Sequence, residues 1–229
     1  DKVPYVGVYG TILLTSLTRT EVVLEGSKFE ICNPQKGNLS QWIFQSVEPF
    51  IYKGGMMSMV KGRGPEGGHD TGATIVRTLL SSLELFGEED AERIKSMIKY
   101  YVREDTSVDY YLSMDIDNIE ILQDIMNDSH VVPREGYTIA KVYGNMDRVV
   151  QHKDDYAFGI SMSSERIINY ESVNAANMKG WYSGDGMVYL YNDDLTQYEA
   201  SYWNYVNRYR MPGVTADTQT REEASILNS

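Results

Sequence analysis

Residues 170–192 read YESVNAANMKGWYSGDGMVYLYN. The end of this stretch, MVYLYN (187–192), is a strand-like run that is apolar on both faces, as expected for a strand covered from two sides. Ahead of it Gly180, Gly184 and Gly186 interrupt regular structure, and further back Glu171, Asn174 and Asn177 stand three apart. An asparagine beside a buried strand needs a backbone or ligand partner. A turn-rich hairpin and a polar site presented by a sheet fit this pattern equally well.

Working outward, the two-residue period extends back to residue 138. In YAFGISMS (156–163), Phe158, Ile160 and Met162 alternate with small residues, and TIAKVY (138–143) is a further strand. VVPREGY (131–137), with proline and glycine flanking charge, marks a boundary. Before it the period is helical. Ile12, Leu13, Ser16 and Leu17 open a helix running towards Leu24, and Leu39, Ile43, Val47 and Phe50 form a second stripe that Pro49 kinks or ends. Ile75, Leu79, Leu83 and Phe86 form a third helix closed by Gly87. Acidic residues 88–90 start a fourth, where negative charge suits a helix N-terminus, and Ile94, Met97, Ile98 and Tyr101 continue it. A fifth carries Ile119, Leu122, Ile125 and Met126. Helices joined by short loops point to successive antiparallel pairs, as in a bundle or an α/α toroid. The expectation is a helical part over 1–132 and an antiparallel β-sandwich portion over 133–229.

With 42% apolar and 24% charged residues the chain is globular stock, and its 229 residues can bury one large core or two medium ones. No stretch approaches the ~20 apolar residues that a membrane-spanning helix needs. The single cysteine, Cys32, excludes a disulfide framework and a multi-thiolate zinc site. A net charge of −12 argues against nucleic acid or an anionic membrane as partner, while a locally basic groove could still take a polyanion. The eighteen tyrosines suit both a carbohydrate groove and a sandwich core. The opening DKVPYVGVYG has neither an initiator Met nor a signal-peptide pattern, and with the ending EEASILNS the chain reads as a piece of something longer.

Two further motifs stand out. In VPYVGVYG, Tyr9 lies between Gly7 and Gly10 at the entrance to a helix, where glycines allow a sharp turn that holds a side chain outward. For one tyrosine in so tyrosine-rich a chain, an ordinary packed ring is the simpler reading. MVKGRGPEGGHDTG (59–72) could cradle an anion through Arg63 and backbone N–H groups, or be a plain interhelix loop; it lacks the ending of a phosphate-binding P-loop. His69, His130 and His152 have no metal-ligand spacing.

Taken in order, these segments resemble polysaccharide lyase family 8, the hyaluronate, chondroitin and xanthan lyases. The most specific likeness is MSSERIINYESVNAANMKGWYSGDGMVYLYNDDLTQYEASYWNYVNRYRMPGVTADT (162–218), and GNMDR (144–148) followed by His152 is similar to the family's first sandwich strands. The resemblance implies the C-terminal part of an α/α toroid followed by the first part of an antiparallel β-sandwich. It places the catalytic tyrosine on Tyr9, the active-site arginine on Arg63 and an orienting glutamate on Glu171, with Asn174 reaching the sugar or bracing the same network. It implies a secreted, extracellular, monomeric enzyme with no cofactor or metal, acting on an acidic polysaccharide. Two departures matter. The family's catalytic histidine would fall just ahead of Asp1 and its catalytic asparagine further upstream, so this chain alone is expected to be inactive. Where the family often has a second arginine after Arg63, this chain reads GPEGGH.

The implied chemistry is β-elimination from a uronic-acid polymer. Its hard step removes a proton α to a carboxylate, which loads negative charge onto an existing anion. A phenol titrates near ~10 and is a poor base at neutrality, but a nearby guanidinium favours its ionised form, and Arg63 is the candidate. Two other classes fit the residues: a carbohydrate-binding module without catalysis, and a structural helical-plus-β scaffold.

Overall fold

The computed structural model describes residues 2–32, 37–112 and 114–222. The chain divides into two compact units that interleave along the sequence: a sheet unit of Asp1–Val8, Met57–Gly68 and Gly136–Ser229, and a helical unit of Tyr9–Met56 and His69–Glu135.

The helical unit contains α1 (Thr11–Leu24), α2 (Asn38–Trp42), most of α3 (Gly68–Leu80), α4 (Glu88–Glu104) and α5 (Ile116–Asn127). Charge placement explains α4: Glu88, Glu89 and Asp90 occupy its first turn and Arg103 its last, each favourable to the helix dipole. Its apolar stripe, Ile94, Met97, Ile98 and Tyr101, is buried. The Asp115 side chain accepts a hydrogen bond from the Asn118 N–H at 3.0 Å and so starts α5. Leu14, Ile43, Phe50, Ile75, Leu79 and Leu122 complete a core in which each large side chain contributes about 1.5–3 kcal/mol.

Two expected helices differ in extent. The stripe from Leu39 to Phe50 is helical throughout but changes pitch, from α2 to a π turn (Ile43–Val47) and then a 3₁₀ turn (Glu48–Phe50) that accommodates Pro49 near its start. The stripe from Ile75 to Phe86 breaks at Leu80, where Ser82 turns a hydroxyl back onto the Thr78 carbonyl at 2.8 Å, and resumes as a 3₁₀ turn (Leu83–Leu85). The periodicity also conceals a small hairpin, β1 (Ile51–Tyr52) and β2 (Gly55–Met56), turned by Lys53 and Gly54, both at positive φ. Gly54 packs so tightly that a Cβ on Gly72 of α3 would lie 1.6 Å from its carbonyl oxygen.

The sheet unit is built on β3 (Ile139–Tyr143), β4 (Arg148–Lys153), β5 (Tyr156–Ser161) and β6 (Met187–Tyr191), antiparallel and adjacent in chain order. Val150, Gly159 and Tyr189 line up across β4, β5 and β6, as do Arg148, Ser161 and Met187, and all six are buried. The alternation expected for β5 is present, with a phase that the sequence left open. Its small residues, Ala157, Gly159 and Ser161, form the buried face, while Phe158 and Ile160 are only half-buried. The reason is Met59, whose thioether would lie 2.6–2.7 Å from a Cβ at Gly159 and so fills the space a larger β5 residue would need. Nor is β6 covered equally on both faces, since Leu190 is exposed. Arg148 is buried in this face, and its guanidinium donates to the carbonyls of Met59, Met146, Asp147 and Met162 at 2.7–3.1 Å. Between β5 and β6 the chain makes a long excursion, closed where Gly186 N–H meets the Ser161 carbonyl at 3.0 Å. After β6 it forms α6 (Ala200–Tyr205) and returns so that Val188 N–H bonds the Pro212 carbonyl at 2.9 Å.

Candidate active site

The excursion from β5 to β6 carries Glu171 and Asn174, and the N-terminal segment lies against it through Ile168 N–H to the Lys2 carbonyl at 3.0 Å. That contact sets Tyr5 near the loop holding Arg63. Gly62 lets the chain turn there with φ +58°, and a Cβ at Gly62 would lie 2.2 Å from the Tyr5 ring. Arg63 then reaches two partners through Nη1: the Tyr5 hydroxyl at 2.9 Å and Glu171 Oε1 at 3.1 Å. Three parts of the sequence thus meet on one guanidinium.

Glu171 is 6% exposed, and burial raises its carboxyl pKa, partly offset by Arg63. Its Oε2 is buried with no hydrogen-bond partner among the described residues. Glu171, Asn169, Ser183, Arg148 and Tyr189 border a cavity of about 30 Å³, enough for one water-sized molecule. Asn177 is a structural member of the loop: its Nδ2 donates to the Glu171 carbonyl at 3.0 Å. Asn174 is exposed and sits at φ +54°, followed by Ala175 at +60°. Asparagine tolerates this left-handed conformation better than most residues.

Of the four residues singled out from sequence, Arg63 and Glu171 are in contact, and Asn174 stands three residues further along the same excursion. Tyr9 ends half-exposed in a π-helical stretch, Val6–Gly10, at the start of the helical unit. Sequence reasoning overlooked Tyr5, although it lies in the same VPYVGVYG motif, four residues before Tyr9. Among the described residues no group of His, Cys, Asp and Glu is placed to hold a metal ion, and no helix is long and apolar enough to cross a membrane. His69 instead bonds Asp105 through Nδ1 at 2.8 Å, with the Tyr110 hydroxyl donating to the same carboxylate oxygen.

Residues 1–100 match the family model for the N-terminal α-helical domain of polysaccharide lyase family 8, and residues 138–228 match that family's super-sandwich domain. The chain belongs to polysaccharide lyase family 8. It is 35% identical to a xanthan lyase of Bacillus sp. (strain GL1) over 92% of this chain and 23% of that protein. It is 34% identical to a hyaluronate lyase of Staphylococcus aureus over 94% of this chain and 28% of that protein. The solved Paenibacillus xanthan lyase superposes with a TM-score of 0.90 at 37% identity, covering 98% of this chain and 22% of the other. A Streptomyces coelicolor chondroitin AC lyase shares the fold, with a TM-score of 0.89 at 24% identity over 97% of this chain and 32% of its own. The chain therefore spans about a quarter of the length of the curated relatives it matches. Its fold class is the expected one, part of an α/α toroid followed by part of an antiparallel β-sandwich.

Proposed function

We propose that this chain is the part of a polysaccharide lyase that supplies residues of a β-elimination site for a uronic-acid polymer of the hyaluronan, chondroitin or xanthan type. The observation that carries this reading is the Arg63–Glu171 ion pair of 3.1 Å, made by two residues 108 positions apart that the family likeness had singled out separately. In the proposed reaction Tyr9 protonates the departing glycosidic oxygen and serves as the base for the proton α to the carboxylate. The C–H and C–O bonds break, a carbon–carbon double bond forms, and the new chain end is an unsaturated uronate. Arg63 supplies positive charge, Glu171 holds Arg63 in place, and Asn174, exposed on its loop, contacts the sugar. The residues the family places before Tyr9 would complete the set. The enzyme is proposed to be secreted and monomeric and to need no cofactor. The proposed activity is tested by following ultraviolet absorbance of unsaturated product in the natural polypeptide carrying this chain. Tyr9→Phe should abolish the rise, and retained activity would end the assignment of Tyr9.

A second reading is a carbohydrate-binding module without catalysis, favoured by the exposed Asn174 loop alone. Calorimetric binding of a uronate polymer with no unsaturated product would select it.

A further inference from the structure

We propose that Glu199 is a positioning residue for Arg63. It acts through the loop that carries the arginine, and the proposal rests on Arg63 belonging to the lyase site described above. Glu199 occupies the N-cap position of α6, yet its carboxylate makes no hydrogen bond to its own helix. It spans to Gly67 and Gly68, accepting from the Gly67 N–H through Oε2 at 2.9 Å and from the Gly68 N–H through Oε1 at 3.0 Å. These amides close the Arg63 loop where α3 begins. N–H groups at a helix start lack partners within the helix, and a carboxylate with one oxygen on each is the strong, geometrically specific way to hold them.

The residue before Glu199 is an independent sign of constraint. Tyr198 sits at φ +61°, an unfavourable conformation for a bulky side chain. It is held there because its hydroxyl accepts from the Leu190 N–H at 2.9 Å and donates to the Leu190 carbonyl at 3.3 Å. A strained residue locked to β6 thus aims the next side chain at the Arg63 loop. At the other end of that loop the Tyr5 ring lies against Gly62, and Lys61, just ahead of it, donates from Nζ across the loop to the Glu66 carbonyl. The loop is fixed at both ends, so Arg63 has one place from which to meet Tyr5 and Glu171.

The test uses the natural polypeptide carrying this chain. In the wild type, through-hydrogen-bond NMR couplings should link the Gly67 and Gly68 amides to the Glu199 carboxyl; absence of both overturns the proposal. In Glu199→Ala, amide exchange at Gly67 and Gly68 should accelerate roughly tenfold or more, and relaxation should show the Arg63 Nε–H losing order. Glu199→Gln keeps one acceptor and should fall between. With uronate polymer, Glu199→Ala should lower kcat about tenfold with little change in KM. An Arg63 Nε–H as ordered in the Ala variant as in the wild type overturns the proposal whatever the activity. If the arginine loosens but the wild type forms no unsaturated product, the lyase reading fails and the positioning role stands.

Discussion

Glu171 is a buried acid with one oxygen on Arg63 and the other without a donor among the described residues, and its energetics follow from that asymmetry. Burial raises its folded pKa above the unfolded value, so the stability tied to this group is fully present below the ordinary carboxylate range and is lost as pH rises through the folded pKa. Glu171→Gln removes the charge that must be desolvated. We expect it to hold or raise the melting temperature at neutral pH relative to acid, which thermal scans of both proteins at pH 4 and pH 7 would show. Arg63→Ala should do the reverse, costing about 1–3 kcal/mol at neutral pH and less in acid, because it strands a buried carboxylate. A loss independent of pH would mean that Arg63 is not compensating Glu171. Residue-scale legibility was uneven. Arg63 and Glu171 were readable from family-like motifs, whereas Tyr5 and Glu199 were not, because their partners lie 58 and about 130 positions away and no local spacing encodes such a contact.

Among the elements, helices and strands were recovered where burial imposes a period, as in α4 and α5, and missed where a single close approach decides. No stretch around 148–153 alternates cleanly, because the buried positions of β4 are Arg148, Val150 and His152, two of them polar. The guanidinium is tolerated there only because four carbonyls surround it. The phase of β5 was likewise hidden, since it depends on Met59 rather than on hydrophobicity within the strand. The same logic gives a prediction for α3. Glycine to alanine inside a helix ordinarily stabilises by up to ~1 kcal/mol. Gly72→Ala should instead destabilise by more than about 2 kcal/mol, because the new methyl meets a backbone carbonyl that cannot step aside. Denaturant unfolding of that variant beside an exposed-site control would check it, and a stabilised Gly72→Ala would refute the packing described here.

At the scale of the whole molecule, the tyrosine excess resolves in part as core, with seven of the eighteen rings buried. Tyr189 and Tyr198 are buried in the sheet unit, and Tyr198 packs with Tyr191 and Tyr202 at ring distances of 4.8 and 4.9 Å. Burial pushes Tyr202 up to about 12, and Tyr110, Tyr189 and Tyr191 rise as well. Raised phenol pKa values contribute stability that is intact below ~10 and lost as pH climbs through the folded values. Spectroscopic titration of tyrosinate should therefore show a late group that appears only with loss of near-ultraviolet circular dichroism. The central claim, that an arginine held by Glu171 serves elimination on a uronate polymer, is tested most directly by product analysis. The natural polypeptide carrying this chain should release unsaturated uronate ends from hyaluronan, chondroitin or xanthan, and Arg63→Ala should lose at least about a hundredfold in rate. Saturated ends, or an Arg63→Ala rate equal to wild type, would contradict the account.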